Sequence, residues 1–393
     1  MNSMKAFRKH LFGATARRTL QAVIAVAALI PAAATAADLP DNATQKAAMN
    51  PSMDPSMDHV AMPVIPASLT WVMTAPAGGW MFNYNPTFMR MGGVYVGSST
   101  QSPATIATTI PSGMTHPAGG KAVPTDWRII PTSMDMQMHM FNGMYGVTDA
   151  LTIMASGSYV SKSMDMTSFS GMSGTTVLGQ SSGTTDGLGD TMFGAEYKLY
   201  QDSMNRVVIG LMASAPTASI TRQVSMLSPK TGTDMLMRAP YGMQSGTGTW
   251  DLLPDVAYLG VYGPWSWGAA YRGRFALDYN ANGWRFGDLH EFHGWGAYQW
   301  TPWFATTGHV IGTTQDHIHG ADANINGLSP MVDPLDYGGQ RVTLLGGFVV
   351  SGAPLGYGNA SLALEAGAPV YQHLNGPQLG QDWQVTLSAR VMF

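Results

Sequence analysis

The last ten residues, Gln384 to Phe393, read Q-V-T-L-S-A-R-V-M-F and alternate with period two. Val385, Leu387, Ala389, Val391 and Phe393 share one side of an extended chain. Gln384, Thr386, Ser388 and Arg390 share the other. One side fit for lipid and the other for water is what a strand of a membrane β-barrel requires. A soluble amphipathic strand shows the same alternation, so the rest of the chain decides between them.

The amino-terminal end agrees with export. Lys5, Arg8, Lys9, Arg17 and Arg18 form a basic region, residues 20–34 carry no charge, and Ala34-Thr35-Ala36 is a small-residue cleavage site. Residues 1–36 therefore read as a signal peptide, with an apolar run too short to span a bilayer as a helix. The Arg17-Arg18 pair also fits a twin-arginine signal. A barrel, however, crosses the inner membrane unfolded. Removing these residues takes five of the 20 Lys and Arg and none of the 24 Asp and Glu, leaving a net charge of −9, which argues against nucleic acid as a partner. Cys is absent and charged residues make up 11% of the chain, against about 25% in ordinary soluble domains. No second apolar run is long enough for a spanning helix, so strands of alternating polarity are left to cross the membrane.

Mature residues 37–78 are rich in Pro, Ser, Met and Ala and read as a flexible periplasmic arm. From residue 79 to 393 the expected fold is all-β, a transmembrane antiparallel β-barrel of about twelve strands. Strands are expected to begin near Trp80, Thr132, Ala150, Leu188, Arg206, Gly246, Trp265, Gly287, Trp303, Gly339, Asn359 and Gln381. Their connections alternate. Long ones cover about 92–131, 161–187, 218–245, 279–286, 316–338 and 369–380, and short ones cover 146–149, 201–205, 262–264, 301–302 and 353–358. Outer-membrane barrels have short periplasmic turns and long extracellular loops. Trp80, Tyr258, Trp265, Trp300, Trp303 and Trp383 lie near strand ends, where interfacial girdles place aromatic rings.

Charge on a lipid face near the midplane costs about 2–4 kcal/mol for Arg or Lys. Ionisable residues of the polar faces are therefore expected to line the lumen: Asp190, Glu196, Lys198, Asp251, Asp255, Arg272, Arg274, Glu291, His293, Arg341, Glu365 and Arg390. Two readings stay open for them, an aqueous path or cross-lumen pairing that fills the interior. Methionine is the second signal, with 29 residues. Met49, Met53, Met57 and Met62 cluster in the arm with His59, without forming an apolar face. Thioether and imidazole ligands suit Cu(I), so copper is the one metal the arm implies. Met134, Met136, Met138 and Met140 alternate on one strand face and read as pliable apolar filler, lipid contact included. No H-E-x-x-H, phosphate loop, G-x-S-x-G or paired Cys is present, and the expectation is a protein that is not an enzyme.

Met144-Tyr145-Gly146-Val147-Thr148-Asp149-Ala150-Leu151-Thr152 resembles the strand–turn–strand motif of a family of proteobacterial outer-membrane barrels, grouped with the phenol meta-pathway outer-membrane proteins. Gly187-Leu188-Gly189-Asp190, residues 246–254 and residues 364–372 are similar to further recurrent segments of that family. The resemblance runs from about Trp80 to Phe393. It implies an outer-membrane barrel passing a small, aromatic or otherwise apolar molecule, and it carries over no catalytic residue. The terminal Phe393 resembles the signal read by the barrel assembly machinery. Expected partners are thus the outer-membrane lipid bilayer, that machinery and a small-molecule solute. A copper-handling barrel is the alternative reading, and a lipid-modifying enzyme is a third. Outer-membrane phospholipases carry His two residues before a nucleophilic Ser, a spacing absent here.

Overall fold

Alternation of bulky and small or polar residues continues through the chain, and each alternating segment is a strand. The structure is a computed structural model describing residues 63–118 and 121–393. The barrel strands are β1 (Trp80–Gly97), β2 (Ile129–Gly146), β3 (Leu151–Phe169), β4 (Thr191–Gln201), β5 (Asn205–Ala215), β6 (Asp251–Tyr262), β7 (Trp265–Ala276), β8 (Leu289–Thr301), β9 (Phe304–Gln315), β10 (Gly339–Gly352) and β11 (Tyr357–Met392). Each pairs antiparallel with the next, and β11 returns to β1. A ring in which every neighbour is antiparallel needs an even number of staves. β11 supplies two. Its first part rises beside β10, with Leu362 opposite Val350 and Leu374 opposite Gly339. Its second part descends beside β1, with Leu379 opposite Val94 and Met392 opposite Met81. Gln372 and Gln381 bond across the fold-back, Gln381 N donating to Gln372 Oε1 at 2.8 Å. Eleven strands thus cross the wall twelve times, as the sequence predicts. The connection expected over 369–380 is strand almost throughout, because glutamines there bond to one another instead of to water. Trp80 and Phe393 exchange backbone hydrogen bonds of 2.6 and 2.9 Å, so the two ends of the barrel sequence seal it.

The expected loop rhythm is present at the other junctions. Tight turns join β2 to β3, β4 to β5, β6 to β7, β8 to β9 and β10 to β11, all at the end that holds Trp80 and Phe393. The opposite end carries the long segments. These include the seven-residue helix α1 (Pro103–Thr109), capped by Ser102, and the hairpin of Gln223–Leu227 with Asp234–Arg238. The strand Val177–Leu188 extends the wall above β3. Among the described residues no helix is long and apolar enough to cross a membrane. The outer wall does that work. Phe82, Phe141, Ile153, Leu211, Leu344, Phe348 and Leu362 are exposed there. All six expected girdle aromatics are exposed too, from Tyr258 at 37% to Trp300 at 62%, which burial in a protein core would not allow.

The interior corrects the expected extent of the arm. From Pro63 onward the chain is inside the barrel and forms a plug. Leu69 and Val72 are fully buried, and Ile65, Trp71 and Met73 nearly so, against Met81, Met144, Met154, Met212, Leu253, Leu259 and Trp295 of the wall. Burying a Leu or Val side chain fully is worth about 1.5–3 kcal/mol over leaving it exposed, and residues 65–73 supply several such groups. Composition suggested a solvated linker, but these few apolar residues outweigh the surrounding Pro and Ser. The plug leaves past the β2–β3 turn, where Gly78 N donates to Gly146 O at 2.8 Å and Ala77 N donates to Asp149 Oδ1 at 3.1 Å. A Cβ at position 146 would collide with the Pro76 carbonyl, so glycine is required there. The candidate metal ligands Met49, Met53, Met57, His59 and Met62, and the signal peptide, lie outside the described residues.

Candidate functional site

The lumen holds two features, a plug fastened by polar side chains and a cavity above it. The plug is bonded to several staves. Val64 N donates to Ser266 Oγ at 3.0 Å, and Ala75 N donates to Thr152 Oγ1 at 3.0 Å. A side-chain ladder reaches it from β3 through β2 to β1. Ser156 Oγ donates to Asn142 Oδ1 at 2.7 Å, Asn142 Nδ2 to Asn85 Oδ1 at 3.2 Å, and Asn85 Nδ2 to the Ala67 carbonyl at 3.1 Å. Buried amides with both ends bonded fix one position of the segment they hold.

On the facing wall Glu365 is the anchor. Its Oε2 accepts from both the backbone N–H and the hydroxyl of Ser68, at 3.1 and 2.8 Å. Its Oε1 lies 2.5 Å from His309 Nδ1, and His309 Nε2 lies 3.2 Å from His293 Nδ1. Glu365, His309 and His293 thus form one continuous hydrogen-bonded chain behind the plug. The edge of Trp71 packs on the His293 ring at 5.7 Å, and the Arg272 guanidinium lies over Trp71 at 5.1 Å. The plug is thus clasped between a histidine relay and a cation.

Arg272 also sits between two acids by register, with Asp255 on β6 and Glu291 on β8 directly opposite it. Glu196 and Asp255 converge over Gly210 of β5, where any Cβ would strike both carboxyl groups. Arg274 bonds Asp251 at 2.6 Å, and Arg341 donates to Gln381 Oε1 at 2.7 Å. Of these residues Arg274 and Asp251 form an ion pair with each other, while the carboxyl oxygens of Glu196 and Asp255 have no hydrogen-bond partner among the described residues. Glu196, Asp251, Asp255, His293 and Glu365 are buried, and Arg272, Arg274, Glu291, Arg341, Arg390 and Lys198 are half-buried on inward faces. Asp190 stands apart. It accepts from Ala218 N, Thr247 N and Thr247 Oγ1 at 2.8–3.0 Å and ties two loops together at the long-loop end.

Above the plug is a cavity of about 260 Å³. Met91, Met134, Met136 and Met164 line it from β1–β3, Leu374 and Leu379 from β11, and Met331 and Tyr337 from the loop before β10. Thr313, Gln315, Gln340 and Arg341 add a polar rim. The loop is held down by Tyr337, whose hydroxyl accepts from Gly242 N at 2.5 Å. Sequence reasoning missed His309, Ser68, Trp71 and the inward aim of the Met134–Met140 series. Alternation along β9 puts His309 on the same side as Thr307. Once a lumen is assumed, that signal was readable.

No family model and no curated protein matches the chain. Among solved structures it is similar to an outer-membrane channel from Pseudomonas putida F1, with a TM-score of 0.50 and 13% identity over 84% of this chain and 100% of that one. The toluene transporter TbuX of Ralstonia pickettii aligns with a TM-score of 0.40 and 12% identity, over 84% and 92%. The toluene transporter TodX of P. putida gives 0.38 and 12%, over 84% and 92%. Identity this low establishes the fold. The chain is an outer-membrane β-barrel, and the similarity expected from its strand–turn–strand motifs is found at the level of that fold.

Proposed function

We propose that the protein is an outer-membrane channel for small apolar or aromatic solutes, which enter at the long-loop end and pass the plug to reach the periplasm. The observation that carries this is the 260 Å³ cavity with an apolar floor of Met and Leu and a polar rim. A cavity of about 150 Å³ already holds benzene, so there is room for one substituted ring. Methionine gives such a wall shape tolerance, since its side chain is flexible and its sulfur contacts aromatic rings favourably. In this reading the charged residues of the lumen hold the plug and perform no covalent chemistry. The barrel assembly machinery that inserts the protein reads the strand ending at Phe393.

The test is uptake by liposomes carrying the purified barrel. Toluene-sized aromatics should enter faster than into empty liposomes, and a hydrophilic sugar of equal size should not. Filling the cavity with Met134→Trp and Leu379→Trp should lower aromatic uptake several-fold with the barrel still folded. Aromatic uptake equal to that of empty liposomes would overturn the reading.

A further inference from the structure

Methionine is sorted by face along β1, β2 and β3. Eleven lie in these strands: Met81, Met89 and Met91, then Met134, Met136, Met138, Met140 and Met144, then Met154, Met164 and Met166. All eleven fall on the inward face by alternation, and the six at positions 81, 134, 144, 154, 164 and 166 are buried. The outward positions between them carry Phe82, Tyr84, Phe88, Phe141, Ile153 and Tyr159 and no methionine. A general bias toward Met would populate both faces. Within residues 81–91, 134–144 and 154–166 the one branched aliphatic side chain on the inward face is Val160, the buried Val94, Ile129 and Ile130 lying nearer the loop end, although strands favour Val and Ile. Apolar filling alone does not select this residue so consistently.

Register then stacks the sulfurs into rungs. Met91 is directly opposite Met134, and Met134 is directly opposite Met164. Met89 is opposite Met136 one step below, and at the plug Met81, Met144 and Met154 form a second three-residue rung. Opposed residues have Cβ atoms about 4.5–5.5 Å apart. Three long, freely rotating thioethers on one rung can therefore turn their sulfurs toward a common point. The upper rung borders the cavity through all three of its residues. Arg341, the cation that shares this cavity, is turned to Gln381 Oε1. Neutral thioethers are poor ligands for Mg²⁺, Ca²⁺ or Zn²⁺ and good ones for Cu(I) and its analogue Ag(I).

We infer that Met91, Met134 and Met164 form a binding site for a soft monovalent cation, Cu(I) or Ag(I), in the outer cavity of the lumen. Below it Met136, Met138 and Met140 continue toward the plug at steps of about 6–7 Å, and Asn142 separates them from the lower rung at Met144. The site goes beyond passage of an apolar solute and does not depend on it.

The experiment is anaerobic titration of the full-length mature barrel in detergent with Cu(I), in competition with a colorimetric chelator. Three proteins are compared: the wild type, the rung variant Met91→Leu/Met134→Leu/Met164→Leu, and a variant with Met49, Met53, Met57 and Met62 changed to Leu. Leucine keeps size and apolarity and removes only sulfur. The rung variant should bind one equivalent of tight Cu(I) fewer than the wild type. The arm variant should keep that equivalent, with a sulfur-only first shell by X-ray absorption. Heat-modifiable migration confirms the fold of each. If the triple variant fails to fold, Met134→Leu alone should weaken that equivalent at least tenfold. Equal stoichiometry and affinity in the wild type and the rung variant would overturn the site and leave the methionines as lining. Aromatic uptake is measured separately on the wild type without added metal, so failure of solute transport leaves the metal result standing.

Discussion

Asp336 shows how a single side chain couples the outer loop to pH. It lies in a 3-10 turn of the loop that covers the cavity, outside the membrane wall. Burial first, and the neighbouring Asp333 second, push its carboxyl up to about 7 from an ordinary 3.8. The folded loop therefore keeps a proton that the opened loop gives up. The sign follows from linkage: the state that binds more protons loses ground as pH rises. The contribution of Asp336 to loop closure is full below about pH 4, declines through the window up to about pH 7 and is gone above it. Hydrogen exchange of residues 330–338, corrected for intrinsic rates, should show greater protection at pH 5 than at pH 8. Asp336→Asn should flatten that difference. A pH dependence that persists in the Asn variant would move the origin to another group. Nothing in the sequence flagged this residue, because its shift comes from two loops meeting over a cavity, and alternation carries no information on loop packing.

At the scale of elements, the plug has the most specific consequence. Residues 63–75 pack inside the lumen and are bonded to β1, β3, β7 and β11. In-frame deletion of 63–75 should raise single-channel conductance several-fold in planar bilayers. Glu365→Ala, which removes the acceptor for Ser68 and His309, should give intermediate and noisier openings, because the plug would keep its apolar packing but lose its anchor. Identical conductance for the wild type and the deletion would mean that the plug does not obstruct the path. The wall strands were legible because a period of two is enforced at every stave by lipid on one side and the lumen on the other. That constraint located β7, with Trp265 and Trp267 opposite Arg272 and Arg274, and the short turns between staves. The plug was not legible. Leu69, Trp71 and Val72 sit among Pro, Ser and Thr, and their burial depends on a lumen that exists only after twelve crossings have closed. The same dependence separates the inward set of ionisable residues, which alternation could place, from their partners, which it could not. Arg272 between Asp255 and Glu291 follows only from the register of three strands.

The whole molecule closes through its last residue. Phe393 exchanges both backbone hydrogen bonds with Trp80, and its ring stacks on Phe82 at 5.7 Å, on the exposed outer wall. The seam is therefore made from two segments more than 300 residues apart in sequence, and no native ring exists until the final stave arrives. Contacts so distant in sequence form late and leave open edges exposed in the meantime. A change at this one position should act on assembly more than on the finished wall. Phe393→Asp puts a second charge beside the terminal carboxylate and removes the apolar edge that must enter the interface. It should reduce the heat-modifiable species in outer-membrane fractions by most of its amount, with the unassembled chain degraded in the periplasm. Phe393→Trp, which keeps an aromatic ring at the interface, should assemble nearly as well as the wild type. A Phe393→Asp barrel recovered at wild-type level would show that the seam is sealed without its terminal ring, and that the recognised feature lies elsewhere in residues 384–392.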